Sequence, residues 1–144
     1  MVTDWFFRIP AIRVAEARAG VPAAEPAAAG AAAGAAADPA PTWVYRFDYP
    51  DPEANNGLGA CHGAEIPFVF DTVTQPQVRP RIGDTPAQTV ADTMHHVWVS
   101  FITDGTPGWA PYTRQDRMTA LITDKVTKVA DPAGDERLAW DGIR

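Results

Sequence analysis

The sequence predicts an α/β fold that is lopsided, and three observations carry that expectation. Residues 42–48, TWVYRFD, are aromatic and β-branched and read as a strand. Residues 86–104 place Val90, Met94, Val97, Trp98 and Phe101 at helical spacing, which makes one wide apolar face. Residues 117–129, RMTALITDKVTKV, read as two short strands around Thr123-Asp124-Lys125. One strong strand, two long helices and a hairpin do not complete a parallel sheet. Five tryptophans and six phenylalanines in 144 residues give more apolar surface than these elements cover, so the chain reads as part of something larger.

From the N-terminus, residues 3–19 read as a helix that Thr3 or Asp4 is placed to cap. Pro10 lies too far in for a first-turn proline and predicts a kink or a later start, and Gly20 is a natural stop. Residues 21–41, VPAAEPAAAGAAAGAAADPAP, are low-complexity. Prolines and glycines interrupt the alanines every few residues and no large apolar side chain anchors them, so a mobile surface linker or insertion is expected. The strand at 42–48 is expected to be buried, and Tyr49-Pro50-Asp51-Pro52 ends it. A polar loop with several glycines runs to Gly63, and a short apolar stretch follows from Ile66 to Phe70. Thr85 with Gln88 spells a capping box for the long helix, with Pro86 in its first position and Asp104-Gly105 closing it. Residues 133–141 predict a last amphipathic turn or two, anchored by Leu138 and Trp140.

Composition narrows the classes of function. Twelve Lys+Arg against eighteen Asp+Glu give a net charge of -6, and the cations are scattered. Such a surface repels phosphate backbones, so no nucleic-acid partner is expected. No run approaches the roughly 18 apolar residues of a membrane span. Asp4 and Arg8 interrupt the apolar N-terminus, unlike a secretory signal. A soluble chain is expected, with its compartment left open. Cys61 is the single cysteine, so no internal disulfide framework exists. Ser100 is the only serine, and it falls inside the expected long helix.

The segment Gly57-Leu58-Gly59-Ala60-Cys61-His62-Gly63-Ala64-Glu65-Ile66-Pro67-Phe68-Val69-Phe70 carries the most chemistry. It resembles the histidine motif of type-B carboxylesterases and cholinesterases, a Gly-Ala-x-His-Gly-x-Glu run leading into Phe-Val-Phe. The likeness extends in order along the chain. Thr3-Asp4 with Pro10 and then Trp43–Phe47 resemble the helix and strand ahead of that motif. Trp98-Val99-Ser100-Phe101 with Asp104-Gly105-Thr106-Pro107, and then Trp109-Ala110-Pro111-Tyr112, resemble the helix and turn after it.

The resemblance implies the C-terminal part of an α/β-hydrolase fold, over residues 1–144 with 21–41 as an insertion, and a serine carboxylesterase activity. In that fold the triad runs serine, acid, histidine along the chain, so a C-terminal piece carries the histidine alone. His62 is then the catalytic base of a triad whose other members are absent. Imidazole suits that task because it titrates near working pH. No Gly-x-Ser-x-Gly elbow is present, since Ser100 has no flanking glycines. The glycines at 57, 59 and 63 are suited to a tight path that presents a side chain. Without the motif, His62 reads as an ordinary loop histidine.

Glu65 is a candidate for holding the histidine loop, and equally a solvated acid at a helix start. Cys61 reads as a small buried apolar group rather than a nucleophile. His95 and His96 suggest a metal with Cys61 or Asp92, but adjacent helical residues point about 100° apart, so no metal is expected. The implied partners are a small-molecule carboxylic ester and the N-terminal portion of the same esterase, with no cofactor; alone, the chain is expected to be inactive. The alternative is a non-catalytic, esterase-like binding or structural module.

Overall fold

A computed structural model of the chain describes residues 3–19, 41–49 and 57–143. The low-complexity segment at 21–41 lies outside them apart from Pro41, as do Gly20, Pro50 and Glu53.

The N-terminal segment is helical in two parts. A π-helical turn spans Asp4–Arg8, with the Ile9 N–H bonded to the Asp4 carbonyl, and α1 follows at Ile9–Arg18. The widened turn stands where a kink at Pro10 is expected. It has a physical reason: a proline ring clashes with the carbonyl four residues back, and an extra residue in the turn relieves that clash. Neither Thr3 nor Asp4 caps the helix. Thr3 is itself helical, and the Asp4 carboxylate accepts from Arg8 Nε at 2.6 Å, one turn on.

Three strands, β1 (Val44–Phe47), β2 (Met118–Ile122) and β3 (Val126–Ala130), form one sheet in the order β1-β2-β3. The Tyr112 N–H bonds the Thr42 carbonyl ahead of β1 and β2, and the Asp48 N–H bonds the Ile122 carbonyl behind them. Start meets start and end meets end, so β1 and β2 run parallel. β2 and β3 are the expected hairpin, closed by the Thr123 N–H on the Lys125 carbonyl. β1 is half-buried throughout rather than buried. Among the described residues it stands at the edge of this sheet, beside β2.

The chain divides into two compact units. The first comprises Met1–Val44, Ala110–Thr119 and Ala130–Arg144. Among the described residues its buried set is small: Ile9, Ala15, Tyr112 and Thr119. Polar ties across long sequence separations supplement it. Arg8 donates to the Ala133 carbonyl, Arg13 to the Trp140 carbonyl, Arg114 to the Glu16 carbonyl, and Arg117 to the Glu16 carboxylate at 2.8 Å. The last helix, α5 (Gly134–Leu138), is steadied by Arg137, which grips Asp131 through both nitrogens of its fork. Trp140 packs on Trp5 with ring centroids 5.5 Å apart, while Leu138 is exposed rather than anchored because the turn carries only one face inward.

The second unit comprises Tyr45–Trp109 and Ala120–Val129. It holds α2 (Ile66–Val69), a 3₁₀ turn at Pro76–Val78, α3 (Arg79–Ile82) and α4 (Gln88–Asp104). Phe68, Ile82, Val90, Ala91, Met94 and Ile122 are all but fully buried. Phe68 is enclosed by Phe47 and Tyr49, each ring 5.2 Å away. Of the apolar face expected on α4, Phe101 is exposed instead, and Ala91 takes a buried place.

The capping box at Thr85 does not form. The helix begins at Gln88, the cap position is Ala87, and its N–H is satisfied by the Tyr49 hydroxyl at 3.2 Å. The Gln88 amide instead bridges Asp71 and Asp92. The Gln88 side chain that the box requires is thus engaged elsewhere. At the other end Gly105 takes the left-handed conformation with its N–H on the Phe101 carbonyl, as Asp104-Gly105 implies.

Candidate active site

The loop leading to His62 is built by backbone conformations that side chains disfavour. Gly57, Gly59 and Gly63 all have positive φ, at 84°, 57° and 76°. The Cys61 N–H turns back onto the Gly59 carbonyl at 2.8 Å, and the Ala64 N–H onto the Cys61 carbonyl at 3.0 Å. His62 therefore sits at the crest of two successive tight turns, and it is exposed. Its neighbours on the C-terminal side, Gly63 and Ala64, are buried. The loop is thus pinned from behind while the imidazole faces outward.

One further clamp is non-local. Arg81, on α3, donates from Nη1 to the Gly63 carbonyl at 3.3 Å. A Cβ placed on Gly63 lies 2.6 Å from that same nitrogen, so a side chain there displaces the end of Arg81, and the φ of 76° disfavours it as well. No local signal in the sequence points to this contact, because Arg81 and Gly63 lie 18 residues apart.

Glu65 occupies the N-cap position of α2 but makes no capping hydrogen bond from its side chain. It turns to a groove of about 450 Å³ inside the second unit, shared with Tyr45, Phe70, His95, Trp98 and Ile102 among others. The Tyr45 hydroxyl is pushed above its ordinary pKa by burial and, secondarily, by the negative charge of Glu65. The Trp98 indole N–H lies near enough to favour the ionised Tyr45 slightly, yet it makes no well-formed hydrogen bond and is closed to solvent. His95 Nδ1 lies 2.9 Å from the Val69 carbonyl. A carbonyl only accepts, so Nδ1 carries the proton and the ring is fixed against α2.

The structure brings Glu65 together with Tyr45, His95 and Trp98. His62 does not line this groove. Cys61 is half-buried rather than buried, with its thiol 3.9 Å from the His62 carbonyl, because it forms the first of the two turns. Ser100 lies within α4. Among the described residues, no group of three or more His, Cys, Asp or Glu is placed to hold a metal ion. No helix among them is long and apolar enough to cross a membrane. In the sequence, Tyr45, His95 and Trp98 read as strand and helix faces, and only their periodicity was there to suggest a shared surface.

Known structures resemble this chain over nearly its whole length. PNB esterase superposes with a TM-score of 0.72 and 26% identity, over 96% of this chain and 26% of its own. The Geobacillus stearothermophilus carboxylesterase at pH 6.8 gives 0.67 and 29%, over 96% of this chain and 27% of its own. The fold is accordingly that of the α/β-hydrolase esterases. Among characterised proteins, phenmedipham hydrolase of Pseudarthrobacter oxydans is 26% identical over 99 residues, 62% of this chain and 20% of that protein. The carboxylesterase family model matches residues 1–140, and the chain belongs to that family. It spans about a quarter or less of the length of these relatives.

Proposed function

We propose that this chain is the C-terminal portion of a carboxylic-ester hydrolase and that His62 is the general base of its serine–acid–histidine triad. The observation that carries the reading is the loop itself. The family's histidine motif coincides with three left-handed glycines and a turn that puts His62 at an exposed crest with a buried base. A base that shuttles a proton between a serine hydroxyl and a leaving alkoxide needs that combination of reach and fixed orientation.

The order of triad members in this fold, with histidine last, supports the C-terminal placement. On this reading the serine nucleophile, the acid and the oxyanion donors belong to the companion N-terminal portion, and 21–41 is an insertion within the segment. The substrate class is a small carboxylic ester. Glu65, set beside Tyr45 on the turn after His62, helps hold the loop.

The test is reconstitution. Purified alone, the chain is expected to turn over no p-nitrophenyl ester. Combined with the portion of PNB esterase outside the matched quarter, it is expected to give turnover that His62→Ala lowers by at least a thousandfold. Turnover that survives His62→Ala sinks the role assigned to His62. Glu65→Gln is expected to lower kcat less than tenfold, as a change in loop positioning does.

A further inference from the structure

The local turns of the His62 loop leave one backbone group short of a firm partner. A carbonyl oxygen has two lone pairs to fill. The Gly63 carbonyl accepts from the Ile66 N–H at 3.4 Å, longer than an ordinary N–H···O bond. Its other donor is the Arg81 guanidinium at 3.3 Å, and a charged donor makes the stronger of two bonds of similar length. The peptide group from Gly63 to Ala64 is planar, so holding its oxygen also aims its N–H. That N–H, on Ala64, closes the second turn of the loop onto the Cys61 carbonyl at 3.0 Å. Arg81 therefore grips one end of a rigid plate whose other end closes the turn that carries His62.

The chain around Arg81 is itself held in place. Pro76 and Pro80 restrict the backbone ahead of it. Ile82, the next residue, is 1% exposed, and the buried Gly83 ends α3 with its N–H on the Arg79 carbonyl at 2.9 Å. The Arg81 side chain shares a depression of about 500 Å³ with Gly63, Ile66, Pro67, Gln77, Val78 and Pro80. None of these is acidic, so no carboxylate lining the depression draws the guanidinium from the Gly63 carbonyl. Arg79 carries the same charge two residues earlier, is exposed, and does not line it.

We infer that Arg81 is a positioning residue for His62: it fixes the Gly63–Ala64 peptide plane, and with it the direction of the imidazole, without touching the reacting atoms. The inference rests on the proposed role of His62 and adds what holds that residue in place. Glu65 stands after the turn, whereas Arg81 bonds the backbone of the turn itself. The consequence is large for so small a contact, since a reacting group displaced by about 1 Å can cost up to about a hundredfold in rate.

Cys61 is the single cysteine and forms the first turn of the loop, so it reports on the loop without any turnover. Its labelling by iodoacetamide, a neutral reagent, is compared in the unsubstituted chain, Arg81→Met, Arg81→Ala, Arg81→Lys and Arg79→Met. Both arginines are exposed, so all four variants are expected to keep the circular dichroism spectrum and melting temperature. Two removals of the guanidinium are carried so that one poorly folded variant decides nothing. Loss of a nearby cation by itself slows a thiolate reaction, whereas a loosened turn speeds it, so the sign separates the two. Arg81→Met and Arg81→Ala are expected to speed labelling about fivefold, as the loss of one hydrogen bond does. Arg79→Met is expected to leave it unchanged. Arg81→Lys is expected to stay near the unsubstituted rate, because one nitrogen makes the contact and an ammonium can replace it. In the assembly with the portion of PNB esterase outside the matched quarter, Arg81→Met is expected to lower kcat about tenfold with KM held within about twofold, and Arg81→Lys to recover it. Labelling unchanged in both removals, or raised equally by Arg79→Met, overturns the inference. So does a KM that rises while kcat holds. Turnover that survives His62→Ala overturns the catalytic reading instead, and faster labelling then still assigns the loop geometry to Arg81.

Discussion

The two units of this molecule are held together by different physics. In the second, Phe68, Ile82, Val90, Met94 and Ile122 form a buried apolar set in which the aromatic rings of Phe47 and Tyr49 close over Phe68. In the first, the buried apolar set among the described residues is short, arginines at 8, 13, 114 and 117 reach carbonyls and a carboxylate far away in the sequence, and Arg137 grips Asp131 six residues before it. Apolar burial carries no charge for salt to screen or acid to titrate. Ion pairs at a half-exposed surface respond to both. The candidate catalytic loop belongs to the apolar unit, so its geometry is expected to survive conditions that loosen the other.

The sharpest way to break that contrast is to empty the apolar core. Phe68→Ala is expected to cost about 3–5 kcal/mol in denaturant unfolding, by lost transfer energy and a cavity between Phe47 and Tyr49. The effect should be the same in low and high salt. Next in size is Gly63→Ala. At φ 76° a Cβ costs about 1–2 kcal/mol, and the Arg81 side chain must also swing away. If His62 is the base, as proposed, the same change in the reconstituted enzyme should lower kcat more than KM, since it moves the His62 loop.

Effects in the first unit should be smaller and tunable. Glu16→Ala removes the carboxylate partner of Arg117 and is expected to cost about 1 kcal/mol at low ionic strength, falling toward zero in 1 M salt. If the loss is as large in high salt, packing rather than charge holds this unit and the contrast collapses. Asp131 provides a pH axis. Its carboxyl is held below the ordinary 3.8 by hydrogen bonds from Arg137, against an opposing effect of burial. A carboxyl with a depressed folded-state pKa stabilises fully above its unfolded value, and the effect is lost as pH falls through the folded one. The loss is therefore expected below pH 3.8, and because Asp131 is 34% exposed it should stay under about 1 kcal/mol. Asp131→Asn should flatten that part of an acid unfolding profile.

Much of this was legible beforehand because it is local. The hairpin at 118–130 shows two apolar runs around Thr123-Asp124-Lys125, and α4 shows its apolar spacing with Asp104-Gly105 at the end. The histidine motif is readable for the same reason, since its glycines are contiguous with the residue they present. The failures also share a cause. Thr85 and Gln88 spell a cap, yet the helix starts only at Gln88 and the Gln88 amide goes to Asp71 and Asp92. Pro10 is not among them, since a kink or a later start is expected there and α1 begins at Ile9 behind a widened turn. Trp43–Phe47 has the composition of an interior strand and stands at an edge, because composition does not report which neighbours are present.

The sequence by itself determined the family and the conformational demand of the glycines around His62, both of which rest on residues adjacent in the chain. Only the tertiary structure decided that Arg81 clamps Gly63, that Glu65 turns away from capping α2, and that Tyr45, His95 and Trp98 meet it in one groove. Those contacts join segments whose separation along the chain carries no periodic signal. Their partners are chosen by packing, and packing exists only once the elements have come together.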